Sequence, residues 1–193
     1  MVAKKPTWRD VKKVIGQWPS DRPVGLVQDL YQFDARNADF LLARLLSGST
    51  GDDGLATYKD RIRKVVSPAQ PWKQDVRLAE GRKAISDYKK AAGDARGLLT
   101  LMVFYVQCGN DFTLEFGDID ETFYDSLCSM VAGIKDQLLV ENNRGLAAEF
   151  LPLLEREFER IDGQMGWGYP DEVSVHIEEC MTSAPVEQFC VIA

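Results

Sequence analysis

Residues 98–106 read Leu-Leu-Thr-Leu-Met-Val-Phe-Tyr-Val and form the longest apolar stretch of the 193-residue chain. Thr100 interrupts the stretch and Gln107 ends it. A helix over these residues would be apolar on nearly every face, which is typical of a helix enclosed by other helices. The stretch is well short of the ~18 residues needed to span a bilayer. It therefore predicts a central, buried helix of a globular protein.

Helical spacing of apolar residues continues on both sides of this stretch. Near the N-terminus, Trp8, Val11 and Ile15 recur at intervals of four or fewer, with Thr7 in position to cap the helix. About eight such segments follow one another, separated by short connectors. The sequence therefore predicts an all-α fold of about eight helices in antiparallel hairpins, packed as an irregular bundle or a short α-hairpin stack.

Three places interrupt the regular pattern. Residues 112–116 alternate like a strand but are short and isolated, so we interpret them as continued helix or an irregular loop. Pro152 would kink or divide the eighth helix because proline removes a backbone donor. After Gly163 the helical pattern dissolves. We therefore predict a helical domain over 1–163 and a C-terminal tail over 164–193, which could include a short helix near residues 171–180.

The two halves of the chain differ in charge. Residues 1–97 contain 19 Lys or Arg and 12 Asp or Glu, a net charge of +7, whereas residues 98–193 contain 4 and 18, a net charge of −14. The sum is the overall −7. Such a division shapes the field around a protein and its choice of partner. We favour mutual attraction of the halves within the fold over a basic surface that faces an acidic partner or phosphates.

Cysteine and histidine usage argues against a zinc site. The chain has four widely spaced cysteines with no C-x-x-C pair, and its single histidine, His176, has no cysteine at ligand spacing. Cys108 and Cys128 lie within apolar helical patterns, where buried, reduced thiols are expected. The N-terminal residues have no apolar segment typical of a signal peptide, so a cytoplasmic protein is expected.

The last four residues, Cys190-Val191-Ile192-Ala193, match the C-a-a-X pattern of prenylated proteins. Upstream residues are acidic, whereas a second membrane signal is usually basic. Cys180 could instead provide a second lipidation site. We therefore predict association with a membrane only if Cys190 is lipidated.

Three stretches carry a resemblance to a known family: residues 29–45, with Asp29-Leu30-Tyr31 and Phe40-Leu41-Leu42-Ala43-Arg44-Leu45; residues 84–90, Ala-Ile-Ser-Asp-Tyr-Lys-Lys; and residues 112–124, with Phe-Thr-Leu-Glu-Phe-Gly-Asp-Ile-Asp. Together they resemble an uncharacterised bacterial family, a helical domain of unknown function, over roughly residues 7–140. The resemblance implies a helical fold in a bacterial cytosol. It implies no activity, cofactor or catalytic residue.

The best candidate for a metal site is a run of four carboxylates. Hard cations need several oxygen ligands, which a loop can bring together. The spacing does not fit an EF-hand, and capping of the seventh helix by an aspartate is the simpler interpretation. The four weak candidates are Glu115, Asp118, Asp120 and Glu121.

A run of basic residues spans the fourth and fifth predicted helices. Phosphate binding requires cations gathered on one face, but these alternate with acidic residues that can pair with them locally. Binding to nucleic acid is therefore disfavoured. The basic-surface candidates are Arg61, Arg63, Lys64, Arg82, Lys89 and Lys90.

No catalytic constellation and no glycine-rich phosphate loop is evident. The sequence therefore favours a non-enzymatic helical scaffold or protein-interaction module, with an unknown protein partner and no predicted cofactor. Its oligomeric state is left open. One alternative is a prenylated, membrane-anchored protein, such as a bacterial effector. Another is a metal-dependent enzyme that uses the carboxylates of residues 115–121.

Overall fold

The computed structural model describes residues 5–46 and 53–183. Over these ranges the chain is all-α, with nine α-helices, one 3₁₀ helix and no strand. This confirms the predicted fold class, and the number of helices is close to the predicted eight. The helices are α1 (Trp8–Ile15), α2 (Arg22–Phe33), α3 (Ala35–Leu46), α4 (Asp53–Val66), α5 (Leu78–Ala91), α6 (Ala95–Phe116), α7 (Glu121–Leu139), α8 (Ala147–Ile161) and α9 (Tyr169–Ser183), and the 3₁₀ helix spans Glu141–Leu146.

Helix α6 lies at the centre of the core. The side chain of Asp94 accepts a hydrogen bond from the backbone N–H of Gly97 and so caps its N-terminus. Thirteen of its 22 residues are buried, on nearly every face, as the apolar stretch predicts. Residues 112–116 belong to this helix, which confirms that their alternation is not a strand.

Four helices pack around α6, namely α4, α5, α7 and α8. A glycine permits the close approach of α7: a Cβ at Gly109 would lie 2.5 Å from the side chain of Leu127. Side chains from these helices form one continuous apolar core, including Ile62, Leu99 and Ile134, which are fully buried. Burial of this surface provides the main stabilisation of the fold.

Helix α9 is part of this core, in contrast to the predicted tail. It packs extensively against α7 and also contacts α8, and it buries Tyr169, Val173, Ile177 and Cys180. The predicted division at residue 163 therefore does not mark a boundary in the packing. The glycine-rich connector obscures the pattern in the sequence, since Gly163 and Gly168 adopt positive φ angles that end one helix and introduce the next. Residues 184–193 lie outside the described ranges.

Pro152 does not divide α8, which runs from Ala147 to Ile161. The proline lies at the sixth position of the helix and is exposed. The 3₁₀ helix before α8 turns the chain, and its Asn143 side chain donates a hydrogen bond to the backbone carbonyl of Gln137 at the end of α7. The predicted eighth helix is therefore one α-helix with a 3₁₀ entry.

The first three helices barely enter the core. Neither α1 nor α2 has a buried residue, and α3 buries only Ala43. Helix α3 packs against α2 on one side and against α4 and α5 on the other. The apolar residues of α1 and α2 therefore lie outside the core, although α3 packs against α2.

None of the described helices combines the length and the apolar character required to cross a membrane.

Candidate interaction surface and charged pockets

The N-terminal helices expose a concentration of large apolar side chains. Of the 21 exposed large apolar residues in the described chain, 11 lie between residues 8 and 46. Phe33 is 84% exposed, Trp8 70% and Val24 68%. Where exposed apolar residues adjoin one another they mark sites of interaction, and of these three helices α2 and α3 pack against each other. We call this set the N-terminal apolar surface: Trp8, Val11, Val14, Val24, Val27, Leu30, Tyr31, Phe33, Phe40, Leu45 and Leu46.

Local contacts, rather than core packing, order α1 and the turn after it. The Asp10 carboxylate accepts hydrogen bonds from the backbone N–H and the hydroxyl of Thr7, at 2.7 and 2.8 Å. These bonds hold the pKa of Asp10 below its usual value. Between α1 and α2, the guanidinium of Arg22 lies 4.4 Å from the centre of the Trp18 ring. The helices are thus formed although their apolar faces are open to solvent.

Helix α2 is joined to α3 by a turn with its own hydrogen bonds. The Asp34 side chain accepts a bond from the backbone N–H of Arg36 at 2.7 Å, and the Asn37 side chain donates to the backbone carbonyl of Leu30 at 3.0 Å. Because α3 also contacts α4 and α5, this turn connects the exposed helices to the folded body.

The structure separates the six basic-surface candidates. Arg61 and Lys64 line a cleft between α3, α4 and α5, whereas Arg63 lines a second pocket near α6 and α8. Arg82 and Lys89 line a third pocket, toward α7, and Lys90 is exposed and lines none of the three pockets. Arg82 is also engaged, since it donates hydrogen bonds to Ser126. The six cations therefore do not form one face.

The cleft between α3, α4 and α5 nevertheless collects cations that the sequence analysis did not group. Its volume is about 450 Å³. Five of its seven lining residues are basic and one is acidic, a lining charge of +4. We call it the basic cleft; it is lined by Arg36, Arg61, Lys64, Val65, Arg77, Glu80 and Lys83.

Arg61 is the most firmly held cation of the basic cleft. Its guanidinium contacts the carboxylate of Asp87 at 3.0 Å and that of Asp39 at 3.6 Å, and all three side chains are less than one-third exposed. Burial raises the pKa of Asp39, although the nearby charge of Arg61 opposes the shift. The guanidinium also lies 5.4 Å from the centre of the Tyr58 ring.

A buried polar cluster connects α6, α8 and α9. Fully buried Asn110 donates a hydrogen bond to Glu157 at 3.0 Å and accepts one from the hydroxyl of Tyr169 at 2.9 Å. Arg160 contacts both carboxylate oxygens of Glu157 at 2.9 Å and also bonds to Asp111. Burial raises the pKa of Tyr169 well above its usual value, which keeps the hydroxyl protonated as a donor. The sequence analysis missed this cluster, because its members lie 47 and 59 residues apart.

This cluster satisfies its own polar groups, which favours a structural role. Glu157 is buried at 3% exposure, and a buried carboxylate requires a charged partner and hydrogen bonds. Arg160 and Asn110 provide both. The pocket beside it, with a volume of about 370 Å³, is lined by three arginines and two acids and has a lining charge of only +1.

The four carboxylates of the candidate metal site have separate local contacts. Asp120 caps α7 by accepting a hydrogen bond from the backbone N–H of Phe123 at 2.8 Å, as the simpler interpretation predicts. Asp118 accepts a bond from the hydroxyl of Tyr124. Glu115 and Glu121 are exposed. Within the described ranges no three His, Cys, Asp or Glu side chains form a group that could hold a metal ion.

The cysteines of the described chain are buried thiols. Cys108, Cys128 and Cys180 are free and at most 9% exposed. Burial raises the pKa of Cys108 and of Cys128 to about 12 in each case. Cys180 faces the core from α9, so the structure does not support it as a second lipidation site. Cys190, the lipidation candidate, lies outside the described residues.

His176 is a half-buried residue of α9. Its Nδ1 atom lies 3.5 Å from a carboxylate oxygen of Glu179. That carboxylate also contacts the ammonium group of Lys135 on α7, at 2.5 Å. The arrangement joins α7 to α9.

Ion pairs scarcely connect the basic and acidic halves of the chain. In the part of the chain that the structure describes, Arg96–Glu149 at 2.7 Å is the one ion pair that joins residues 1–97 to residues 98–193. The other pairs lie within one half, as Arg61–Asp87 and Lys135–Glu179 do. The favoured explanation of the charge division, direct attraction between the halves, therefore rests on few contacts.

Comparison with known proteins found no matching family model, no matching curated sequence and no matching solved structure. The resemblance to a bacterial family over residues 7–140 stays a prediction.

Proposed function

We propose that the protein is a non-enzymatic interaction module that binds a partner protein through the N-terminal apolar surface. The observation that carries the proposal is the contrast in burial between α1–α3 and the rest of the described chain. More than half of the exposed large apolar residues occur in the 39 residues from 8 to 46, and the other ten are spread over residues 72–181.

The composition of this surface fits a protein partner. It combines aromatic and branched aliphatic side chains on short helices, as in the binding mode in which an amphipathic helix enters an apolar groove. Trp8 and Phe33 are suitable anchors because large aromatic side chains provide most of the energy of many interfaces. Val24, Val27 and Tyr31 recur at helical spacing along α2.

The charges beside the apolar residues indicate the chemistry of the partner. Helix α1 carries Arg9, Lys12 and Lys13, against one acidic residue, Asp10, which is engaged by Thr7. The expected partner therefore has an apolar groove with carboxylates at its margin. Such a complex would form faster at low ionic strength, because rim charges guide association.

Two variants with the same chemical change test the proposal. Val24→Asp places a charge on the N-terminal apolar surface, and Val175→Asp places one on the exposed side of α9, where Val175 is 51% exposed. Proteins from an extract of the source organism would be captured on the wild-type chain. Each candidate would then be purified, and its affinity for the three chains measured by calorimetry.

We expect a purified partner to bind the wild type and Val175→Asp equally and to bind Val24→Asp at least about tenfold more weakly. Equal binding to all three chains, or no protein that binds the wild type once purified, would contradict the proposal. Light scattering on the wild type provides a further check. Concentration-dependent dimers that Val24→Asp abolishes would assign the surface to a second copy of this chain and overturn a heterologous partner.

A further inference from the structure

After the N-terminal apolar surface, the basic cleft is the second feature of the molecule that the stability of the fold does not explain. We infer that it binds a small anion with two or more phosphate groups and recognises the phosphates alone. This inference is independent of the proposed function, since no residue of the cleft belongs to the N-terminal apolar surface.

The cleft is built on rigid elements. Helices α3, α4 and α5 each contact the other two, so its three walls are fixed relative to one another. The connection between α4 and α5 is tied down by a hydrogen bond from the backbone N–H of Arg77 to the carbonyl of Val65, at 2.7 Å. A binding site on packed helices holds its side chains with little loss of conformational freedom on binding.

The five cations of the cleft are engaged to different degrees. Arg61 is held by Asp39 and Asp87. Lys64 pairs with Asp60, which lies on the same helix, α4. Arg77, just before α5, pairs with Glu80 on α5. In both pairs each side chain is more than half exposed. Exposed pairs of this kind contribute little to stability, so a phosphate could replace the carboxylate with small loss.

Arg36 and Lys83 are the available cations. Within the described chain neither side chain has a carboxylate within ion-pair distance. Arg36 comes from α3 and Lys83 from α5, so the two approach the cleft from different walls. Arginine matches two phosphate oxygens at once, and lysine adds a compact point charge.

The charge and the lining of the cleft define the ligand class. The two cations without a carboxylate partner, together with Lys64 and Arg77 in exposed pairs, exceed what one phosphate requires and suit a chain of two or three. The lining contains no aromatic side chain on which a nucleobase could stack. The cleft should therefore bind inorganic tripolyphosphate at least as tightly as a nucleoside triphosphate.

The charge division of the chain determines the control that the test needs. The whole cleft lies within residues 1–97, which carry +7, so a control that removes the same charge elsewhere in this half separates binding at the cleft from a general attraction. Calorimetry would be performed with tripolyphosphate, ATP and orthophosphate at about 50 mM salt, where screening is weaker than under physiological conditions.

A double variant and a matched control would locate the site. Arg36→Gln with Lys83→Gln removes the two available cations, and Lys89→Gln with Lys90→Gln removes two exposed cations of α5 that do not line the cleft. Each double variant changes the net charge from −7 to −9, since each loses two positive charges. Circular dichroism would verify that both remain folded.

We expect tripolyphosphate to bind the wild type and the control within about twofold of each other, and to bind the cleft variant about tenfold or more weakly. Orthophosphate should bind more weakly than tripolyphosphate. The inference would be overturned by the absence of tripolyphosphate binding or by equal weakening in both double variants. Binding of ATP without binding of tripolyphosphate would also overturn it, because the base would then be the recognised group.

Discussion

Helices α2 and α6 both contain many apolar residues, but α6 is apolar on nearly every face and α2 is amphipathic, and their fates are opposite. Both present apolar residues at helical spacing, and both begin at a recognisable start signal, Pro23 in α2 and Asp94 before α6. Yet α6 buries thirteen residues and α2 buries none. The comparison teaches that apolarity on every face predicts burial, whereas an amphipathic pattern predicts a helix but does not identify what covers its apolar face.

The largest expected effect is a difference in the free energy of unfolding between two leucine variants, one in the buried helix α6 and one in the exposed N-terminal helices. Leu101→Ala in α6 removes a fully buried side chain and should lower the free energy of unfolding by about 2–5 kcal/mol. Leu45→Ala in α3, where the leucine is 67% exposed, should change it by no more than about 0.5 kcal/mol. Denaturation in urea, with an unchanged slope, measures both. Similar losses for the two variants would mean that α3 is packed as tightly as α6.

The second prediction tests whether α9 belongs to the packed body. Tyr169→Phe removes the hydroxyl that donates to Asn110 and leaves a buried acceptor unpaired, which should lower the free energy of unfolding by about 1–3 kcal/mol. Tyr31→Phe on α2 is the matched control, because that tyrosine is 45% exposed. This variant should show a negligible change in the free energy of unfolding. A detachable α9 would instead make the two variants equally stable.

The smallest effect depends on pH. The hydrogen bond from Lys135, and then the nearby His176, lowers the pKa of Glu179 from its usual 4.5. A lowered carboxyl pKa stabilises the fold above the unfolded value and loses this contribution as the pH falls through the folded value. Glu179→Gln should therefore be less stable than the wild type at pH 7, and the difference should disappear in acid.

The matched control for Glu179 lies on α1. Hydrogen bonds from Thr7 also lower the pKa of Asp10, but they hold only the start of an exposed helix. Thermal unfolding of Asp10→Asn should show the same midpoint as the wild type across this pH range, while circular dichroism detects a small loss of helix. A shift in the midpoint equal to that of Glu179→Gln would show that α1 unfolds together with the core.

The fold was largely predictable because helices are encoded locally. Thr7 before α1 and Asp120 before α7 mark their helices by short-range capping, and a single window of sequence contains that signal. The contribution of α9 could not be predicted, since a connector rich in glycine precedes it and its apolar residues show their role only against α7.

The candidate sites were less predictable, because they depend on which helices become neighbours. The basic cleft joins Arg36 to Lys83, 47 positions later, and the sequence gives no reason to group them. Arg63 and Lys64 are adjacent in sequence, but the helical turn sends them to different pockets. Adjacent charges therefore suggested one surface where the fold produces several.

The place of α9 in the core has a consequence for how the chain is made. The ribosome synthesises α1–α3 first, whereas the side chains that complete the packing of α7 emerge only with residues 169–180. At about 5–20 residues per second, the interval between Phe33 and Cys180 lasts roughly 7–30 seconds. During that interval the apolar faces of α1 and α2 are already outside the ribosome. A partner could therefore bind them on the nascent chain, before the packing of the core is complete.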